Sequence, residues 1–200
     1  MNEQSVYFKS ENLTIEGLYS DHPGENGAII THPHPQMGGT MNNNVVDALV
    51  SVFNKHRYST LRFNFRGVAR SEGFYGNGKG EALDVKAAHN FLVGKGKRRI
   101  ALTGYSFGAV VDIGVIDQLD DVNLVVLISP PLNNKIKIPN TTKQKGLIIC
   151  GNEDQFCQVS ELEQWAEKLD FKFKIVEGTD HFYWGREDVI INYISDFLIT

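Results

Sequence analysis

Two cysteines in 200 residues are too few for a disulfide framework, which excludes the small secreted folds that depend on one. Cys150 closes the apolar run Leu147-Ile148-Ile149, where a reduced, buried thiol is expected. No apolar run approaches the roughly 20 residues that a membrane-spanning helix needs. The start, MNEQSVYFKSENL, lacks the basic stretch followed by an apolar one that marks a secretory leader. These features predict a cytoplasmic protein with no membrane insertion. Excess charge of one sign is missing too. Lys and Arg number 20 against 24 Asp and Glu, a net charge of −4, so no general field draws the chain to nucleic acid. The tight basic group Lys95, Lys97, Arg98 and Arg99 reads as a solvated loop. Repeats, low-complexity tracts and linkers are absent, and residues 1–200 are expected to form a single α/β domain. Nothing in the residues fixes an oligomeric state.

What is present is an alternation of short apolar strands with helical stretches. Val6–Lys9 and Leu13–Tyr19 read as antiparallel strands joined at Glu11-Asn12. Ala28–Thr31 is compact and apolar, as in a strand buried on both faces. Val45, Val46, Leu49, Val50 and Phe53 then recur at helical spacing. Strands are predicted over Tyr58–Phe65, Ile100–Thr103, Leu124–Ser129, Gly146–Cys150 and Phe171–Val176. Helices are predicted over Glu81–Val93, Ser106–Leu119, Val159–Leu169 and Asp188–Leu198. Such alternation implies a mostly parallel sheet covered on both faces. In such sheets ligands bind beyond the carboxyl ends of the strands.

One loop there reads Gly104-Tyr105-Ser106-Phe107-Gly108, a G-x-S-x-G nucleophile elbow between a predicted strand and helix. The glycines permit a tight turn, and the serine hydroxyl projects at a helix N-terminus, where amides and dipole favour developing negative charge. A nucleophilic serine needs a base, and the base needs an orienting acid. His181 is the only one of six histidines that follows Ser106, so it is the predicted base. Asp154, at the end of Gly146–Cys150, is the predicted acid, with Glu153 its main rival and Asp180 disfavoured as the neighbour of His181.

An acyl-transfer site also needs backbone N–H groups aimed at the carbonyl oxygen. One is expected from Phe107. The other is expected from the loop His32-Pro33-His34-Pro35-Gln36-Met37-Gly38-Gly39. Its two prolines cannot donate; His34 and Gln36 can, and His34, restricted between the two prolines, is the nominated amide. The His-x-His pair could serve a zinc hydrolase, but no H-E-x-x-H and no third histidine accompanies it, so no metal is expected. No dinucleotide or phosphate-loop fingerprint occurs, so no cofactor is expected.

These segments resemble the α/β-hydrolase superfamily, and the resemblance spans nearly the whole chain. His32–Pro35 is similar to its oxyanion loop, and Phe63-Asn64-Phe65-Arg66-Gly67 through Gly73 to its arginine-glycine loop. Gly104–Gly108 is similar to its elbow, while Gly151–Asp154 and Asp180-His181-Phe182 are similar to its acid and histidine loops. A compact, lidless bacterial subgroup shares this set. Two departures are Pro33, where relatives often carry glycine, and Tyr183 in place of phenylalanine. The resemblance implies an eight-stranded, mostly parallel sheet with one antiparallel strand near the start, helices on both faces and little or no lid. It implies structural more than catalytic roles for Arg66 and Gly67, with binding of a substrate carboxylate the alternative for Arg66.

The expected activity is hydrolysis of a carboxylic ester or thioester through Ser106, His181 and Asp154, by way of an acyl-enzyme, at a rate that rises as a histidine-like group loses its proton. The expected partner is a small-molecule acyl substrate. An acyltransferase or peptidase would use the same residues, and a hydrolase-like ligand-binding protein is the alternative from another class. The stretch 130–145 is too short for a large lid, which favours small acyl groups or the exposed end of a larger molecule. Trp165 and Trp184 are expected in the core or at the pocket rim.

Overall fold

The computed structural model describes residues 3–132, 139 and 142–199. Eight strands form one sheet: β1 (Gln4–Ser10), β2 (Leu13–Ser20), β3 (Asn26–Thr31), β4 (Ser59–Phe63), β5 (Arg99–Tyr105), β6 (Val122–Ile128), β7 (Lys145–Gly151) and β8 (Lys172–Val176). Five helices connect or follow them: α1 (Asn44–Lys55), α2 (Lys79–Gly94), α3 (Phe107–Val115), α4 (Val159–Leu169) and α5 (Glu187–Ile199). The strand order is β1-β2-β4-β3-β5-β6-β7-β8. β2 alone runs against the rest, since it pairs antiparallel with both β1 and β4 while the pairs from β4 to β8 are parallel. This is the sheet expected from the sequence.

The near-continuous apolar strands are explained by burial on both sides. Ala28, Ile30, Ala101, Leu124, Val126, Ile128, Leu147 and Ile149 pack beneath α1 and α5. Their alternate neighbours Ile29, Leu102, Val125, Leu127, Ile148 and Cys150 face α2, α3 and α4. The period of two along each strand sends successive side chains to opposite layers. Each large core side chain contributes about 1.5–3 kcal/mol by leaving water. Trp165 belongs to this core, whereas Trp184 is 75% exposed and is not among the residues that line the cleft described below.

Boundaries moved where local chemistry competes with periodicity. The helix expected over Ser106–Leu119 ends as an α-helix at Val115 and tightens into a 3₁₀ turn over Ile116–Gln118, a common way to finish a helix. α2 begins two residues earlier than its apolar pattern, because the buried Glu81 carboxylate accepts the Gly76 and Gly78 amides at 2.8 Å each and holds the first turn. Half of the connection between β6 and β7, where no large lid is expected, lies outside the described residues. No described helix is long and apolar enough to cross a membrane.

β3 sits between β4 and β5, so the chain leaves β3 to one side and later returns to the other. Loops part at such a switch point and open a crevice at the carboxyl ends of the strands.

Candidate active site

Ser106 occupies that crevice, directly after the central strand β5. Its backbone is held at φ 55°, ψ −119°, a strained conformation for a residue with a side chain. The Ser106 amide donates to the Ile128 carbonyl at 2.8 Å and fixes the turn to the end of β6. Glycine is required on both sides. A Cβ on Gly104 would collide with the Thr31 hydroxyl and lie 2.5 Å from Asp112 Oδ2; one on Gly108 would lie 2.5 Å from Thr31 Oγ1 and 2.7 Å from the His32 carbonyl.

The loops after β7 and β8 bring the two predicted partners to this serine. His181 Nε2 lies 2.9 Å from Ser106 Oγ, and His181 Nδ1 lies 2.8 Å from Asp154 Oδ2. A carboxylate can only accept, so Nδ1 carries the proton and Nε2 is left to accept from the serine hydroxyl. The other carboxylate oxygen of Asp154 accepts the Phe156 and Cys157 amides at 2.9 and 3.0 Å. Burial raises the Asp154 carboxyl, but the hydrogen bond and charge of His181 and the Phe156 amide outweigh it and hold the group below the ordinary aspartate range. Glu153 is exposed, and Asp180 is exposed with Oδ1 accepting the Phe182 amide. Neither rival approaches His181 Nδ1.

Three supporting residues were not foreseen as such. The Tyr105 hydroxyl donates to the His181 carbonyl at 2.7 Å. The Phe156 ring stands edge-on to the imidazole at 4.8 Å. Tyr183, fully buried, shares a 2.6 Å hydrogen bond with Ser129 Oγ behind the histidine loop. The signal for Tyr105 was its place inside the elbow motif; the other two depend on loop packing that spacing does not reveal.

The loop after β3 divides its histidines between two tasks. His32 is buried, with Nδ1 2.6 Å from the Pro33 carbonyl and Nε2 accepting the Phe65 amide at 3.0 Å. It ties this loop to the one after β4, and burial pushes its imidazole down to about 4, so the ring is neutral. His34 caps a 3₁₀ turn over Pro35–Met37, its Nδ1 accepting the Gln36 amide. Its Nε2 lies 3.1 Å from the Tyr75 hydroxyl and its ring 4.8 Å from that of Phe107. Both rings are thus engaged in protein contacts and do not converge on a common metal point. Among the described residues the metal-capable group is instead Cys150, Asp154 and Cys157, whose donor atoms lie within 4.8 Å of one another. His34 and Phe107, the residues whose amides are nominated, are in ring contact and line the same cleft as Ser106. Neither amide has a hydrogen-bond acceptor among the described residues.

Ser106, His181, Tyr105, Phe107, Phe156 and His34 open on a cleft of about 680 Å³. Lys79, His34 and His181 are the basic side chains in its lining, and Met37, Tyr75, Phe107, Phe156 and Phe182 make much of its wall. Arg66 does not reach it. Its guanidinium pairs with the fully buried Asp84 carboxylate at 2.8 Å and donates to Ser10 Oγ, a structural placement.

The fold and this site define an α/β hydrolase. No protein-family model matches the chain. A serine hydrolase homologue from Coxiella burnetii superposes with a TM-score of 0.91 at 29% identity, covering 99% of this chain and 98% of that one. A protein of unknown function from Agrobacterium tumefaciens, a candidate α/β hydrolase, is 30% identical with a TM-score of 0.87, over 98% and 94% of the two chains. An uncharacterised protein of Rickettsia prowazekii is 30% identical over 98% of this chain and 88% of its own length. The chain belongs to the α/β-hydrolase superfamily.

Proposed function

We propose that the protein is a cytoplasmic serine hydrolase that cleaves a carboxylic ester or thioester through an acyl-enzyme. The observation that carries this reading is the unbroken relay from Ser106 Oγ through His181 to Asp154, at 2.9 and 2.8 Å, on a strained elbow that opens on a cleft.

Ser106 Oγ attacks the carbonyl carbon while His181 Nε2 takes its proton. The imidazolium is stabilised by Asp154. The negative oxygen of the tetrahedral intermediate is held by the Phe107 and His34 amides, each contributing on the order of 3 kcal/mol. His181 then protonates the alcohol or thiol, which departs and leaves the acyl group on Ser106. Water, deprotonated by the same imidazole, attacks the acyl-enzyme and releases the acid. An acyltransferase would admit another alcohol or amine in place of water.

Turnover of a p-nitrophenyl ester and an acyl thioester tests the reading. Ser106→Ala and His181→Ala should each lose on the order of 10⁴-fold or more in kcat, and the double variant little beyond that, because the groups act as a unit. Asp154→Asn should lose about 10⁴-fold through the wrong imidazole tautomer. Turnover that survives Ser106→Ala would contradict the proposal. Tight ligand binding with no turnover, unchanged by Ser106→Ala, would favour a hydrolase-like binding protein.

A further inference from the structure

α3 offers one face to the cleft. Phe107, Val110, Val111 and Gly114 all line it, at the three, four and seven spacing of a single helical face. Ala82 from α2, which packs against α3, lines it as well. The result is an apolar trough that starts beside Ser106 and follows α3 away from it.

Gly114 has no evident structural reason to be glycine. Inside a helix, glycine is less favourable than alanine, and the usual compensation is close approach by a neighbouring backbone. Here a Cβ would meet no described atom within 4 Å. The missing side chain leaves open space in the cleft lining. α3 rises about 1.5 Å per residue, so Gly114 stands roughly 12 Å from Ser106, about the extended length of a ten-carbon acyl chain.

Strand order assigns the two halves of a substrate. The leaving group must lie within reach of His181, which protonates it. Asp154 and His181 follow β7 and β8, on one side of β5, whereas Tyr75 and Ala82 belong to the chain after β4, on the other side. The acyl chain therefore points away from β7 and β8, along α3 toward α2.

We infer that the trough between α2 and α3 binds a medium-length acyl chain and that Gly114 sets how long that chain can be. This rests on the serine-hydrolase reading above and names its substrate class, acyl esters or thioesters of about ten carbons.

The test is the ratio of kcat/KM for decanoyl over butanoyl p-nitrophenyl esters in wild type, Gly114→Ala and Gly114→Leu. Leucine and alanine are better helix formers than glycine, so both variants should unfold at or above the wild-type temperature. Wild type should prefer the decanoyl ester. Gly114→Leu should lower the ratio on the order of ten-fold or more, since several methylenes lose their place in the trough, and Gly114→Ala should lower it less. A folded Gly114→Leu with an unchanged ratio, or with both esters slowed equally, would overturn the inference alone. So would a variant whose selectivity moves with alcohol length in alkyl acetates instead. A wild type that turns over no ester would overturn the hydrolase reading and this inference with it.

Discussion

His32 and Asp112 are buried beneath the cleft, and each is held neutral against its ordinary tendency to ionise. Burial lowers the His32 imidazole to about 4. Burial also raises the Asp112 carboxyl well above its usual range, with Thr31 Oγ1 donating to Oδ2 at 2.8 Å in partial opposition. Their effects on stability have opposite signs. Between pH 6.5 and about 4 the unfolded chain protonates His32 and the folded protein does not, so stability falls with falling pH by up to about 3 kcal/mol. Above the ordinary aspartate value of 3.8 the folded protein keeps the Asp112 proton and the unfolded chain loses it, so stability falls with rising pH. Between pH about 4 and 6.5 the two slopes oppose each other, so denaturant unfolding should show that Asp112→Asn makes stability rise with pH across that range more steeply than in wild type. A parallel pH profile in that variant would contradict a neutral Asp112. That Ser106, His181 and Asp154 would meet was readable from motif order, because such a relay needs those groups at the ends of strands. Asp112 was not readable: an aspartate six residues past the elbow reads as an exposed helix residue, and only the close approach of Thr31 and Gly104 shows why it is buried.

At the scale of elements, the two faces of the sheet were legible from periodicity, since β3, β5, β6 and β7 carry apolar residues in both registers. The start of α2 was not. Its first turn carries no apolar signal and depends on Glu81, whose carboxylate takes up two amides that otherwise have no partner. The same turn places Asn77, Gly78 and Lys79 along the cleft. Glu81→Ala would leave both donors unsatisfied and cost about 2 kcal/mol, lowering the melting temperature by roughly 4–8 °C. Because the loosened turn borders the cleft, KM should rise more than kcat falls. An unchanged melting temperature would show that solvent replaces the carboxylate without cost. The 3₁₀ turn over Pro35–Met37 was likewise hidden, although the two prolines that bracket His34 were visible in the sequence.

Across the whole molecule, the site exists only because strand order brings distant segments together. The loops after β3, β5, β7 and β8 meet at one end of the sheet, so residues 106, 154 and 181 become neighbours, with residue 34 on the same cleft, through a topology that no local pattern contains. The alternation of strands and helices pointed to that topology, and the order of the motifs along the chain agreed with it. Substrate class was the least legible part, since it depends on the shape of the cleft along α3 and not on any motif. The central claim is that this assembly activates one serine among ten. The most direct measurement is reaction of the folded protein with a fluorophosphonate, followed by mass mapping of its peptides. A stoichiometric adduct on Ser106 that is lost in His181→Ala is the predicted result. A folded, unlabelled protein, or label on another residue that persists in Ser106→Ala, would contradict the account.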